Sequence, residues 1–194
     1  MINKIEKLIN LLKMFPGVGD KSARRMAYNL LNRGENKIDQ FSKTVADLKN
    51  IKKCNVCGVF SEDDLCKYCS SSLRNRDVIC VVEEFYDVEA IENTGVYNGL
   101  YHILGGHVSP VDGVFLKDLN IDSLIERIDE SINEVIIATN PNLEGEATAN
   151  YLRDLLDGYD IKISKLATGL PMGGDLSILN STTIKNSLKN RSNN

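Results

Sequence analysis

Four cysteines stand in two close pairs, Cys54 with Cys57 and Cys66 with Cys69. Each pair places two thiolates at one tight turn, and the eight residues between the pairs allow both turns to close on a single tetrahedral ion. Four sulfur ligands leave no position for water, so a site of this kind is structural rather than catalytic. The segment has few large apolar residues, and a metal ion substitutes for the core that it lacks. We therefore predict one structural Zn²⁺ per chain, bound by these four cysteines.

Other roles for the cysteines and histidines explain the pattern less well. Disulfides are rare in the cytoplasm, and a redox dithiol accounts for one pair but not for two. Iron–sulfur ligation is the remaining alternative. The fifth cysteine, Cys80, falls in a predicted buried strand and is interpreted as a core residue. His102 and His107 have no partners at ligand spacing, and His102 falls in a predicted strand, where a core or surface role is expected.

The spacing of apolar residues changes along the chain from a helical period to short β-branched runs. Helices are predicted over residues 3–14, 21–33, 36–50, 86–93, 121–131, 145–157 and 181–190. Buried strands are predicted over residues 78–82, 100–104, 135–138 and 161–166. Because strands and helices alternate from residue 77 onward, we predict a largely parallel sheet with helices on its faces.

A glycine-rich turn, Pro16-Gly17-Val18-Gly19, joins the first two predicted helices. Glycines permit a tight turn and leave backbone N–H groups uncovered at the start of the next helix, where the helix dipole favours an anion. Lys21, Arg24 and Arg25 follow closely and are placed to reach adjacent phosphates. The pattern resembles the helix-hairpin-helix motif of DNA-binding proteins.

The charge of the chain is divided between its two halves. The whole sequence has 23 Lys and Arg against 27 Asp and Glu, a net charge of −4. Residues 1–79 hold 15 basic and 9 acidic residues (+6), and residues 80–194 hold 8 basic and 18 acidic residues (−10). This asymmetry indicates two units with different partners and excludes only a uniformly basic DNA-binding protein.

No part of the sequence predicts a membrane or secretory segment. The longest uncharged apolar run, residues 78–82, is far shorter than the roughly 20 residues that span a bilayer. The first residues carry charges at helical spacing and do not resemble a signal peptide. We expect a cytoplasmic protein without a membrane partner.

Two segments of the second half carry acids where predicted strands end. Glu83 follows the first strand, and Asn140-Pro141-Asn142-Leu143-Glu144-Gly145-Glu146 follows a later one. These segments resemble the two signature motifs of the Toprim domain of topoisomerases, primases and some nucleases. In catalytic Toprim domains, Asp-x-Asp stands where this chain has Asn140 and Asn142. Amides are weaker ligands than carboxylates for a hard cation, so we predict weak or no Mg²⁺ binding and no catalysis.

The order of these motifs resembles the RecR family of bacterial recombination proteins over essentially the whole chain. Residues 166–176 (Leu-Ala-Thr-Gly-Leu-Pro-Met-Gly-Gly-Asp-Leu) are similar to the Gly-Leu-Pro-x-Gly-Gly segment of that family. The resemblance implies an α+β fold in four parts. These are a helical helix-hairpin-helix region over residues 1–53, a four-cysteine zinc finger over 54–76, an α/β Toprim domain with a mainly parallel sheet over 77–170, and a C-terminal loop and helix over 171–194.

The resemblance also implies a non-enzymatic mediator of DNA repair and recombination, located in the cytoplasm at the nucleoid. RecR-family proteins form dimers and ring-like tetramers that act as a clamp on gapped, single- and double-stranded DNA. They act with RecO and RecF to load recombinase at single-stranded gaps.

The site residues that the family pattern implies fall into three groups. DNA contact is expected at Gly17, Gly19, Lys21, Arg24 and Arg25. Zinc is expected at Cys54, Cys57, Cys66 and Cys69. Contact with the basic partner RecO is expected at Glu83, Glu84, Asp87, Glu144 and Glu146. The charge division agrees with this arrangement, since a basic half attracts DNA and an acidic half attracts a basic protein.

Three other functions remain open on the sequence. The first is an active Toprim enzyme that cleaves strands with Mg²⁺, which the two asparagines oppose. The second is a zinc-ribbon module that binds RNA. The third is an acidic scaffold whose basic half is a solvated surface.

Overall fold

The computed structural model describes residues 3–191, so that residues 192–194 of the predicted C-terminal segment lie outside the described residues. Two units divide the chain, Met1–Ile51 and Lys52–Asn194. The division places the cysteine segment in the same unit as the sheet. The finer division into four parts stays a prediction.

The first unit, over residues 3–51, contains three α-helices. They are α1 (Asn3–Leu12), α2 (Asp20–Leu31) and α3 (Glu35–Asp47), and a 3-10 turn follows over Leu48–Asn50. Ile9 of α1 is buried against Ala23 and Ala27, whose small side chains let α1 and α2 approach closely. The first helix ends two residues before the predicted end, at Leu12, because its last turn tightens and the Met14 N–H bonds to the Leu11 carbonyl.

The second unit begins with a short antiparallel pair and continues with a parallel sheet. The pair consists of β1 (Lys52–Lys53) and β2 (Phe60–Ser61). The sheet consists of β3 (Val78–Val82), β4 (Leu100–Ile103), β5 (Glu134–Ala138) and β6 (Lys162–Lys165). The strand order is β4-β3-β5-β6, and all three pairings are parallel. This confirms the predicted fold class, a helical N-terminal region followed by an α/β domain with a parallel sheet.

Four α-helices lie in the described part of the second unit, residues 52–191. They are α4 (Phe85–Glu92), α5 (Asp122–Ile125), α6 (Leu143–Leu156) and α7 (Ser181–Lys189). The helix predicted over residues 121–131 is wrong in its extent, since α5 ends at Ile125. The Asp129 carboxylate accepts the Ser131 N–H at 2.8 Å and forms a local turn there, in competition with the helical hydrogen bonds.

Alternate residues of β3 pack into different cores, as the two-residue period of a strand requires. Ile79 and Val81 join a core that includes Leu152 and Leu156 of α6. Cys80 and Val82 face the other side, in a core that contains the four paired cysteines. The cysteine segment therefore packs against one face of the sheet. Among residues 3–191, the helices are all too short or too polar to cross a bilayer.

Candidate metal centre and nucleic-acid interface

The four paired cysteines converge on one point. The Sγ atoms of Cys54, Cys57, Cys66 and Cys69 all lie within 4.8 Å of one another, and all four residues are buried. The Cys57 and Cys66 sulfurs are 3.4 Å apart. Four Zn–S bonds of about 2.3 Å in a tetrahedron place sulfurs about 3.8 Å apart, so the donor set fits such an ion. The cluster is thus able to hold one metal ion with four sulfur ligands.

The electrostatics of the cluster favour a cation. Hydrogen bonds from the Cys57 and Cys69 thiols lower the pKa of Cys66 to about 2. The pKa of Cys57 is raised, because its thiol is bonded to Cys66 and Cys69 and is buried. Metal ligation requires all four cysteines to be ionised, and the divalent cation then removes the repulsion between the four thiolates.

The cysteine segment is attached to the sheet through backbone hydrogen bonds. The Cys57 carbonyl accepts the N–H of Ile103 in β4 at 2.8 Å. Within the segment, the Cys54 N–H donates to the Val59 carbonyl at 2.7 Å. The rings of Tyr68 and Tyr101 meet edge to face, with their centroids 5.2 Å apart. The metal ligands are therefore held against β4.

The turn before α2 has the backbone that the glycine pattern predicts. Gly17 has a φ of +76°, in the left-handed region that favours glycine. Gly19 is the N-cap residue of α2, and its carbonyl accepts the Ala23 N–H at 2.9 Å. No side chain caps this end of α2. The first N–H groups of the helix are thus available to an anion, as phosphate binding at a helix N-terminus requires.

The three predicted DNA-contacting cations differ in their surroundings. Lys21 and Arg25 are exposed. Arg24 is already engaged, since its Nε lies 2.7 Å from the Asp20 carboxylate and its Nη1 lies 3.4 Å from Glu6. The Asp20 hydrogen bond raises the pKa of Arg24. A phosphate would reach Lys21 and Arg25 without competition from these carboxylates, whereas at Arg24 it competes with Asp20.

Glu83 lies at the carboxyl edge of the sheet, between the ends of two neighbouring strands. Its Oε1 accepts the backbone N–H of Asn140 at 2.7 Å, and its Oε2 accepts the Asn140 side-chain amide at 2.8 Å. The Nδ1 of His107 lies 3.0 Å from the same Oε2. Only 2% of the Glu83 residue is exposed. The carboxylate is therefore satisfied inside the protein and has almost no surface to offer a partner.

Gly145 closes this cluster at the start of α6. The Asn142 side chain is the N-cap of α6 and accepts the Gly145 N–H at 2.7 Å, and Thr139 donates to the Gly145 carbonyl at 2.8 Å. A Cβ at Gly145 would overlap the Asn140 carbonyl oxygen and lie 2.8 Å from Glu83 Oε1. The two acid-bearing segments meet closely because this position has no side chain.

The other four acids of the predicted partner face are partly accessible. Glu84, Asp87, Glu144 and Glu146 are all half-buried. Asp87 accepts the Glu84 N–H at 2.8 Å, and burial raises its pKa. Glu146 forms an ion pair of 2.6 Å with Lys165 of β6. Unlike Glu83, these residues retain solvent-exposed surface that a partner can contact.

Sequence reasoning did not find the contact between His107 and Glu83. No ligand spacing marks His107, and the two residues are 24 positions apart. His102, in contrast, is a core residue, one of the two expected roles, with none of its surface exposed. Its Nε2 lies 2.6 Å from the Asn120 carbonyl, and burial lowers its pKa to about 4.

Comparisons with known proteins agree with both halves of the chain. A family model described as RecR, helix-hairpin-helix matches residues 5–49, and one described as Toprim domain matches residues 77–167. The chain is 48% identical over 189 residues to a protein of Tropheryma whipplei strain TW08/27 that is named recombination protein RecR. It is 44% identical to the protein of the same name from Staphylococcus aureus strain MRSA252. Each match covers 96% of both chains. The chain therefore belongs to the RecR family.

Proposed function

We propose that the protein is a non-enzymatic mediator of DNA recombination and repair. In this proposal it binds DNA as an oligomeric clamp and acts with RecO and RecF to load recombinase at single-stranded gaps. The relatives named recombination protein RecR support the general role, and the match to a helix-hairpin-helix supports DNA binding. The site of action is the cytoplasm, at the nucleoid.

The observation that carries the proposal is the turn at Gly17. Its left-handed backbone leads into the uncapped N-terminus of α2, where Lys21 and Arg25 are exposed. Backbone N–H groups and cations together bind phosphates without regard to sequence. A clamp that must act at any gap needs recognition of this kind.

Charge reversal at the hairpin tests DNA binding. The double variant Lys21→Glu and Arg25→Glu is expected to weaken binding to gapped, single- and double-stranded DNA. The slope of log K against log salt should fall by about 1 for each lost phosphate contact. Fluorescence anisotropy across a salt series measures both quantities.

Lys37→Glu is the control, because Lys37 is exposed on α3 and its ammonium group bonds only to the Gln40 side chain among the described residues. Lys37→Glu should retain most of the wild-type affinity for DNA. DNA affinity and salt slope unchanged in the double variant would contradict the assignment.

The absence of catalysis is proposed from the chemistry at the sheet edge. Asn140 and Asn142 are neutral where catalytic Toprim domains carry carboxylates. The Asn140 side-chain amide also donates a hydrogen bond to the Glu83 carboxylate. Mg²⁺ is therefore bound weakly or not at all. Incubating supercoiled and nicked DNA with the protein and Mg²⁺ or Mn²⁺ is expected to give no cleavage. Cleavage that disappears in Glu83→Gln would revive the enzyme hypothesis.

The contact with RecO is proposed for Glu84, Asp87, Glu144 and Glu146. Glu83 is buried and would contribute only by holding the ends of β3 and β5 together through Asn140. Partly accessible carboxylates on an acidic half are suited to a basic protein. Glu144→Lys should weaken RecO binding and leave DNA binding unchanged. Glu130→Lys, an exposed charge reversal elsewhere, is the control. Equal RecO affinity in Glu144→Lys and Glu130→Lys would contradict the proposal that these acids contact RecO.

Self-association into dimers and a tetrameric ring is proposed because large apolar side chains are exposed in the first unit. Leu11 is 61% exposed and Met14 is 72% exposed. Exposed apolar side chains that form a contiguous patch are typical of a surface that another chain covers. Sedimentation at working concentration, with and without gapped DNA, tests the clamp, and a persistent monomer would contradict it.

The metal is proposed to be one structural Zn²⁺ per chain, held by the four cysteines. Zn²⁺ favours a tetrahedral set of four thiolates, and such a closed site leaves no coordination position for a substrate. Metal analysis of the purified protein tests this. Iron in place of zinc would favour an iron–sulfur cluster.

A further inference from the structure

Arg127, which lies just beyond α5, has an unusual set of partners. Its Nη1 donates to the Tyr101 carbonyl at 2.7 Å and lies 3.1 Å from His102 Nδ1. Its Nη2 is covered from solvent and has no hydrogen-bond acceptor within residues 3–191. A buried guanidinium nitrogen without an acceptor is costly, so its presence calls for a compensating charge.

Carboxylates do not supply that charge. Among the residues that the structure describes, Arg127 has no ion pair with an Asp or Glu. Asp129 lines the same cavity as Arg127, but one of its oxygens is bonded to the N–H and the hydroxyl of Ser131. The neutral His102 ring accepts from Nη1, since its Nε2 is used toward the Asn120 carbonyl. Within the described residues, the positive charge therefore has no ion-pair partner of opposite sign.

The cysteine cluster borders the same cavity as Arg127 and carries negative charge when its thiols are ionised. Arg127 and Cys69 line one cavity of about 290 Å³, together with Arg76. Burial lowers the pKa of Arg127, and the charges of Cys69 and then of the other three cysteines act in the opposite direction. Arg76 donates to the Cys69 carbonyl at 3.3 Å, so a second cation approaches from the same cavity.

We propose that Arg127 is a positioning residue for the metal centre and its internal counter-charge. A divalent ion with four thiolates carries a net charge of −2, half of which one buried guanidinium offsets. Its hydrogen bonds to Tyr101 and His102 fix Arg127 to β4, the strand against which the cysteine segment packs. Partners outside the ligand set orient and stabilise metal ligands in this way. The inference rests on the proposal that the four cysteines hold zinc.

The test measures metal affinity in the full chain. Arg127→Gln removes the charge and keeps hydrogen-bonding groups, and Arg127→Lys keeps the charge. Zinc affinity is measured by competition with a chromophoric chelator, and Co²⁺ substitution reports the geometry of the thiolate site by absorption. Arg127→Gln is expected to lower zinc affinity about 10- to 100-fold, and Arg127→Lys to restore most of it. Arg153→Gln, an exposed change on α6, is the control and should bind zinc as the wild type does.

Two results would overturn the inference. One is zinc affinity in Arg127→Gln within about threefold of the wild type, well short of the effect of losing such a partner. The other is an equal loss in Arg127→Lys, which would assign the effect to hydrogen bonds rather than to charge. Circular dichroism checks that each variant folds, and the lysine variant alone decides between charge and hydrogen bonding should Arg127→Gln not fold. Purified wild-type protein that contains and binds no metal would instead refute the zinc proposal itself. Failure of that proposal can therefore be told apart from failure of the role inferred for Arg127.

Discussion

The side-chain amide of Asn140 donates to the carboxylate of Glu83 over 2.8 Å, at the ends of two neighbouring parallel strands. An aspartate at position 140 would present a second negative charge to Glu83 in the same place. The asparagine instead supplies a donor, so the two side chains satisfy each other without a cation. This relationship explains in physical terms how the edge of the sheet remains stable with a buried carboxylate after β3 and an asparagine after β5.

Asn140→Asp is expected to destabilise the protein. The change removes a hydrogen bond to the carboxylate of Glu83 and adds like-charge repulsion beside that buried group, at a cost of about 2 kcal/mol or more. Urea denaturation at neutral pH measures the loss, and added Mg²⁺ should recover part of it. Asn142→Asp is the control, since Asp and Asn are equally good N-cap residues, and a larger loss there would contradict the explanation.

Gly145→Ala should cost more than an alanine substitution at an open glycine. The new Cβ would overlap the Asn140 carbonyl oxygen and crowd Glu83 and Asn142, and such overpacking costs about 1–3 kcal/mol or more. Gly158→Ala is the comparison, because a Cβ there meets no atom within 4 Å. Chemical denaturation of both variants measures the difference. Equal stabilities would show that the loop relaxes freely.

Removing the metal is expected to loosen the cysteine segment. Cys66→Ser should eliminate zinc from the purified protein and lower the melting temperature, as chelator treatment of the wild type should. Cys80→Ala should retain one zinc per chain, because Cys80 is a core thiol whose pKa burial raises to about 12. Metal content by mass spectrometry and thermal unfolding check both variants. Loss of zinc from Cys80→Ala would point to a different ligand set.

Stability should rise with pH between about pH 4 and pH 6.5 because of His102. Burial and the neighbouring Arg127 lower the pKa of His102 from 6.5 to about 4. In this window the unfolded chain binds a proton that the folded protein does not, so the free energy of unfolding rises with pH. The full effect is about 3 kcal/mol. Urea titrations of the wild type and His102→Gln should show a smaller pH dependence in the variant, and identical curves would rule out His102.

Local patterns predicted the parts of the molecule that local rules control. The spacing of Cys54, Cys57, Cys66 and Cys69 predicted one cluster, because two tight turns can meet at an ion in few ways. The β-branched runs predicted the parallel strands. Gly17 predicted a turn that requires left-handed backbone.

The contacts that escaped prediction join residues far apart in sequence. Glu83 bonds to Asn140, 57 positions later, and to His107, and no periodicity marks either contact. The burial of Glu83 follows from these contacts, which is why an acid expected on a partner face is internal. The early end of α5 depends on the turn that the Asp129 side chain forms with Ser131. The position of Arg127 depends on its hydrogen bond to the Tyr101 carbonyl of β4. The spacing of apolar residues along a helix predicts neither contact.

The hydrogen bond from Ile103 to the Cys57 carbonyl has a consequence for solubility. β4 is an outer strand of the sheet, and an outer strand with unpaired backbone groups is a template for adding strands of other molecules. The cysteine segment covers part of this edge strand, because the Cys57 carbonyl accepts the Ile103 N–H. If the proposed zinc holds this segment in place, its loss would expose the backbone of β4, so we expect the ion to protect against aggregation as well as to stabilise the fold.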